Sequence, residues 1–130
     1  MTELTPWRKV VKPQKDVAQG KYVAAEFAAD LSSVISGKAS KEYADPKEFF
    51  KRTHITKGIV RLVDMAMLRM TGKGGQPILQ LKTVFGGGKT HTMLALYHLL
   101  NGIKKVDSSV LTAFDPSWQG SPPKKANIAV

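Results

Sequence analysis

The sequence predicts an α/β fold, in which a helical region over residues 1–75 precedes the start of a P-loop NTPase core over residues 76–130. Apolar residues recur at helical spacing in the first region. In the second, the glycine-rich run Gly86-Gly87-Gly88-Lys89-Thr90 separates two apolar segments. A strand, a glycine-rich turn with Lys-Thr and a helix, in that order, are typical of a phosphate-binding loop on a parallel sheet with flanking helices.

Three helices are predicted in the N-terminal region. The first runs from about Tyr22 to Ile35, with Gly37 as its stop. The run Asp45-Pro46-Lys47-Glu48 predicts the start of the second, with a capping Asp, Pro in the first position and Glu completing a capping box. The third runs from Thr56 to Met70, and Gly72 lies just past its end.

One helix and three strands are predicted in the second region. Residues 78–85 form the strand that leads into the glycines, and the helix from Lys89 to Gly102 follows them. This helix is apolar almost all round, which predicts packing against a sheet. Val110 to Phe114 and Ala126 to Val130 are the other two predicted strands.

The glycine-rich run has the residue types that a nucleotide triphosphate requires. Gly86, Gly87 and Gly88 let backbone N–H groups approach phosphate oxygens closely, because glycine has no Cβ and adopts positive φ at little cost. Lys89 is expected to contact the β- and γ-phosphates of ATP, and the Thr90 hydroxyl is expected to bind Mg²⁺. No catalytic residue is predicted.

Two features of this run leave alternatives open. The usual motif has glycine five residues before Gly88, and Thr83 stands there, so the loop is expected to leave its strand later than usual. The alternative is a glycine-rich turn that only caps a strand and a helix. His91 is expected to contact a phosphate or order the loop, with an ordinary packed histidine as an equal alternative; for His98 the packed histidine is favoured.

The composition of the whole chain limits the classes of partner and binding site that are expected. A net charge of +10 suggests an anionic partner such as DNA, although the basic residues are scattered and a solvated surface explains them as well. Cysteine is absent, which excludes disulfides and thiolate metal sites. With neither a secretory signal nor an apolar run of membrane-spanning length, no membrane partner is expected and a cytoplasmic location is the default.

The acidic residue pair that organises Mg²⁺ in such ATPases is not evident after Lys89. Asp107 and Asp115 come too early and lie among polar or turn residues. The sequence therefore predicts an N-terminal fragment of a larger ATPase, which binds nucleotide weakly and hydrolyses little or none.

Three segments carry a resemblance to a known family: YVAAEFAAD from Tyr22, EYADPKEFFKRTHIT from Glu42 and TVFGGGKTHTMLALYHLL from Thr83. They resemble the N-terminus of large bacterial and archaeal ATPases that were first catalogued as a domain of unknown function and are related to the AAA+ class. Thr83 and the three glycines match that family's own variant of the loop.

The resemblance implies a role in anti-phage defence, because such proteins are often encoded beside DNA methyltransferases. It implies ATP and Mg²⁺ as cofactors, bound by Lys89 and Thr90. DNA, a methyltransferase or another defence-system subunit, and an oligomer of the full-length form are the further candidate partners. The alternative function is a basic, non-enzymatic nucleic-acid-binding or scaffold module.

Overall fold

The structure, a computed structural model, describes residues 4–21, 29–84, 86–124 and 126–129. Short helices alternate with turns, and two longer helices of 14 residues each lie at the centre of the packing. The helices are α1 (Trp7–Val10), α2 (Lys15–Ala18), α3 (Leu31–Ile35), α4 (Lys41–Ala44), α5 (Pro46–Arg52), α6 (Lys57–Met70), α7 (Lys89–Gly102), α8 (Ser108–Leu111) and α9 (Pro116–Gln119), with a 3₁₀ turn at Ile103–Lys105.

The predicted α/β fold class, with a parallel sheet, is wrong, because none of the described residues forms a β-strand. Residues 78–84 are not paired with any other part of the described chain as a strand, and Ile78 and Val84 are 80% and 81% exposed. A strand in a parallel sheet would be buried on both faces. The predicted strand from Val110 begins inside α8, and residues 126–129 are not paired either; Phe85 and Val130 lie outside the described residues.

The first predicted helix is shorter than expected where the structure describes it. Asp30 has extended backbone angles, and its carboxylate accepts hydrogen bonds from the amides of Ser32 and Ser33. It therefore acts as the N-cap of α3, which begins only at Leu31. The rest of the prediction, over residues 22–28, lies outside the described residues.

The signals predicted for the start of α5 are largely confirmed, and α6 begins at Lys57, directly after the predicted start at Thr56. Asp45 accepts a hydrogen bond from the Lys47 amide, and Pro46 occupies the first turn of α5. The Asp45 amide donates to the Lys41 carbonyl, at the end of the unpredicted helix α4, so Glu48 does not complete a capping box there. Thr56 caps α6 through the Ile59 amide.

The core forms where α7 meets α3, α5 and α6. Helices therefore cover the apolar surface of α7 that was predicted to face a sheet. The side chains that are almost completely buried come from α5, α6, α7 and α9; they are Phe49, Val63, Met67, Leu94, Leu99 and Trp118.

A partly buried polar contact attaches α9 to α6. One carboxylate oxygen of Asp64, on α6, accepts hydrogen bonds from the Trp118 indole N–H at 2.8 Å and from the Asp115 amide at 2.9 Å. The Trp118 side chain is fully buried and packs beside the Phe114 ring. The last helix is thereby held by both apolar packing and hydrogen bonds.

Candidate phosphate-binding loop

The glycine loop, residues 83–90, joins the extended segment 78–84 to the start of α7; Phe85 within it lies outside the described residues. Gly86 has φ 78° and Gly88 has φ 75°. These values lie in the left-handed region that residues with a Cβ rarely adopt. Gly88 is also the N-cap residue of α7. Two of the three glycines are therefore required by the path of the backbone.

Gly87 is required for a different reason. A Cβ at this position would lie 2.4 Å from Thr83 Oγ1 and 3.0 Å from the Val84 carbonyl oxygen. The Gly87 amide also donates a hydrogen bond of 3.1 Å to that carbonyl. The loop thus folds back on its first residues too closely for any side chain.

Lys89, the first residue of α7, extends back into the loop. Its ammonium donates hydrogen bonds to Thr83 Oγ1 at 3.0 Å, and to the carbonyl oxygens of Thr83 and Val84 at 3.2 Å each. Thr83, which departs from the usual motif, therefore supplies two of the three oxygens that position Lys89. Sequence reasoning missed this role, because a hydroxyl residue six positions before a lysine is not itself a known signal.

The electrostatics at the start of α7 favour an anion. Among the described residues no side chain caps the N-terminus of α7, and the first turn of α7 contains no acidic residue. The first N–H groups of a helix have no partner within the helix and form its positive end. A lysine there is unfavourable by about 0.3–1 kcal/mol unless an anion neutralises it. Lys89 and the amides that follow Gly88 together form a site suited to phosphate.

Thr90 is half-buried in the first turn of α7. In the part of the chain that the structure describes, no three His, Asp or Glu side chains come together as a metal site. Mg²⁺ in nucleotide sites takes one or two protein ligands and completes its shell with phosphate oxygens and water. The residues present fit a Mg²⁺ ion only in that manner, with the Thr90 hydroxyl as a protein ligand.

His91 connects α7 to α5. Its Nε2 lies 2.8 Å from Thr53 Oγ1, and the Thr53 hydroxyl donates to the Phe49 carbonyl at 2.7 Å. Because the hydroxyl hydrogen is used there, Nε2 of His91 carries the proton and donates to Thr53. The His91 ring also packs on the Phe49 ring, with centroids 4.6 Å apart. The structure thus brings His91 to α5 rather than to the Lys89 ammonium.

His98 is buried on the same side of α7. Its Nε2 lies 2.8 Å from the Tyr43 carbonyl oxygen and donates to it, and its ring packs against Phe49 and Phe50. Burial lowers the pKa of His98, an effect that the hydrogen bond to Tyr43 opposes. These contacts describe a packed core histidine, as favoured from the sequence.

The comparison with known families gives a match over most of the chain. The model of the DUF499 N-terminal domain matches residues 7–119, which include the whole glycine loop. The chain belongs to the DUF499 family. The predicted membership of a family catalogued as a domain of unknown function is thereby confirmed. The relation of the DUF499 chain to a larger P-loop ATPase and its role in defence stay predictions. Neither a curated protein nor a solved structure matches it.

The sequence predicts no apolar run of membrane-spanning length, and the described helices of this DUF499 domain agree with that prediction. Over the described ranges, none of them is both long enough and apolar enough to cross a bilayer.

Buried His98 and half-buried His91 of the DUF499 domain predict a loss of stability in mild acid. Burial lowers the pKa of both His91 and His98 below the ordinary value of 6.5. As the pH falls, the unfolded chain therefore binds protons before the folded chain does. We expect the free energy of unfolding to change little with pH just above about 6.5 and to decrease below it, as measured by urea unfolding.

In the double variant His91→Gln, His98→Gln, the free energy of unfolding is expected to depend much less on pH below about 6.5. His54→Gln, at an exposed position, is the matched control and is expected to keep the pH dependence of the unmodified chain. Carboxylates change the free energy of unfolding only at lower pH, because the pKa values of Asp16, Asp30 and Asp115 are lowered from 3.8. An unchanged slope between about pH 6.5 and pH 5 in the double variant contradicts the assignment.

Proposed function

We propose that this DUF499 domain binds ATP with Mg²⁺ and that the glycine loop holds the phosphates. One observation carries the proposal: Lys89 is the first residue of α7, which has no side-chain cap, and its ammonium is held in the glycine loop by oxygens of Thr83 and Val84. A cation and a row of helix N–H groups at one place suit a polyanionic ligand.

The loop can bind phosphate through donors from two sources. The amides of residues 89–91 occupy the first positions of α7, which lack partners within a helix. The Lys89 ammonium is a rotatable triple donor on a flexible stem. It can exchange a contact with Val84 or Thr83 for a phosphate oxygen, while Thr90 contributes its hydroxyl to the Mg²⁺ that the phosphates bring.

Amide chemical shifts test this placement. We expect a titration of the ¹⁵N-labelled chain with ATP and Mg²⁺ to shift the amides of residues 86–92 most strongly. Secondary shifts are expected at Thr53, which His91 contacts. Shifts scattered over exposed lysines, with none concentrated at the start of α7, would mean non-specific attraction to a basic surface and would contradict the proposal.

The wider role that we propose is that of the N-terminal nucleotide-binding part of an AAA+-related ATPase, which acts on DNA or remodels a partner complex in phage defence. The resemblance to ATPases encoded beside DNA methyltransferases supports this role. Charge supports it as well, because the chain has 20 basic and only 10 acidic residues. Both ion pairs within the described residues involve Arg52. Much of the positive charge thus remains available to an anionic partner.

The excess charge also favours a second candidate function, a basic nucleic-acid-binding module without enzymatic activity. DNA affinity measured over a range of salt concentrations, with and without ATP and Mg²⁺, separates the two. The module is expected to show a steep salt dependence that ATP leaves unchanged. The ATPase proposal predicts that saturating ATP changes the DNA affinity, because the two ligands are then coupled.

A further inference from the structure

A cavity of about 370 Å³ lies between α6 and the segment 76–83. We infer that it holds the purine nucleoside of the nucleotide whose phosphates the glycine loop is proposed to bind; the inference rests on that proposed function. The lining of the cavity includes Arg61, Leu62, Met65, Gln76, Gln80 and Thr83.

The cavity and the glycine loop share Thr83. This residue lines the cavity, and its hydroxyl and carbonyl oxygens both accept hydrogen bonds from Lys89. A ligand with phosphates at Lys89 is therefore placed next to the lining of the cavity. In a nucleoside triphosphate the group that follows the phosphates is the ribose, followed by the base.

The lining suits the two kinds of surface that a purine presents. Leu62 and Met65 from α6, with Leu79 and Leu81 opposite, supply apolar groups for the ring faces. Gln76, Gln80 and Arg61 supply hydrogen-bonding groups for the ring edge. A glutamine amide can pair with the N6 and N7 atoms of adenine, and an arginine can pair with O6 and N7 of guanine. The volume lies within the range of about 300–1,000 Å³ that small-molecule sites occupy.

The segment 76–83, which forms the side of the cavity opposite α6, is attached to α6 through the residues that precede it. Gly75 has φ 78°, and a Cβ there would lie 2.2 Å from the Met65 carbonyl oxygen and 2.7 Å from the Arg69 amide nitrogen. Its backbone therefore lies directly on α6. Just before it, the Lys73 amide donates to the Leu68 carbonyl at 2.9 Å, and the Lys73 ammonium donates to the Ser117 carbonyl. These contacts hold the residues just before the segment 76–83 against α6.

Calorimetric titrations of the chain with tripolyphosphate, ATP, GTP and UTP, each with Mg²⁺, test the inference. We expect ATP or GTP to bind at least about tenfold more tightly than tripolyphosphate and UTP, because burying a purine adds more than about 1.4 kcal/mol. Met65→Trp fills the cavity and is expected to reduce the purine nucleotide affinity to that of tripolyphosphate. Met70→Trp, at a 48% exposed position on the same helix, is the matched control and leaves both affinities unchanged.

Gln80→Ala is a second variant at an exposed position, where the fold is not at risk. It is expected to lower the affinity for purine nucleotides severalfold and to leave the affinity for tripolyphosphate unchanged. Equal affinities for ATP, UTP and tripolyphosphate, or equal losses for ATP and tripolyphosphate in Met65→Trp, overturn the nucleoside site and leave phosphate binding intact. Absence of binding by both tripolyphosphate and ATP overturns the proposed function itself.

Discussion

Replacing Lys89 with Ala is expected to weaken ATP binding by about 10- to 150-fold, which corresponds to about 1.5–3 kcal/mol for hydrogen bonds to a charged group. Lys89 carries the positive charge at the start of α7, and Thr83 and Val84 already hold its ammonium in the loop. The variant therefore removes both a charge and a positioned donor. Titration calorimetry with ATP and Mg²⁺ measures the loss.

Lys38→Ala is the matched control, because Lys38 is exposed between α3 and α4 and lies outside the glycine loop. It removes the same charge from the chain and is expected to change ATP affinity by less than about twofold, as is usual for an exposed charge. A thermal unfolding scan of each variant separates lost binding from lost folding. Equal affinities of the two variants for ATP would contradict the role given to Lys89.

Replacing Trp118 with Ala is expected to lower the free energy of unfolding by about 3–5 kcal/mol, as for other large aromatic residues in protein cores. Trp118 is fully buried, packs beside Phe114, and donates its indole N–H to Asp64. The variant leaves a cavity and removes one of the contacts between α9 and α6. Because small domains have a total stability of about 5–15 kcal/mol, the loss is a large share of it.

The chain contains its own control for this substitution. Trp7, in α1, is 75% exposed, and Trp7→Ala is expected to change stability by less than about 0.5 kcal/mol. Asp64→Ala is expected to cost about 1–3 kcal/mol, because it leaves the buried indole N–H without its partner. Urea unfolding followed by circular dichroism ranks the three variants. Similar midpoints for Trp118→Ala and Trp7→Ala would show that α9 does not belong to the core.

Helices with local start and stop signals could be predicted from the sequence. The Asp45 cap is used as predicted, α6 begins at Lys57 directly after the predicted start at Thr56, and Gly72 follows α6 with φ 71°. Each of these signals acts within one or two turns, so the residues that form it are adjacent in sequence. Asp30 shows the limit: it fits a helix pattern, but its carboxylate caps α3 instead.

The strands could not be predicted reliably, because a strand depends on a neighbour that its own residues do not specify. Segment 78–84 has the composition of a strand, yet Leu79 and Leu81 line the cavity beside α6, and Ile78 and Val84 are exposed. The all-round apolar pattern of α7 indicated burial, but it did not distinguish helices from a sheet as the covering layer. Here α3, α5 and α6 cover it.

The candidate site was predictable where its residues are contiguous. The three glycines, Lys89 and Thr90 form one run. Gly86 and Gly88 adopt positive φ, Gly87 has no room for a side chain, and α7 begins at Lys89. The contact between His91 and Thr53 joins residues 38 positions apart, which periodicity and spacing do not reveal. Thr83 was noticed only as a departure from the usual motif, and only the structure shows that it holds Lys89.

Calorimetric titration of the unmodified chain with ATP and Mg²⁺ tests the central claim, that the glycine loop is a nucleotide phosphate site. The geometry around Lys89 predicts saturable binding of one ATP per chain, lost when tripolyphosphate in excess competes for the same donors. Heats no larger than those of dilution, up to millimolar ATP, would contradict it.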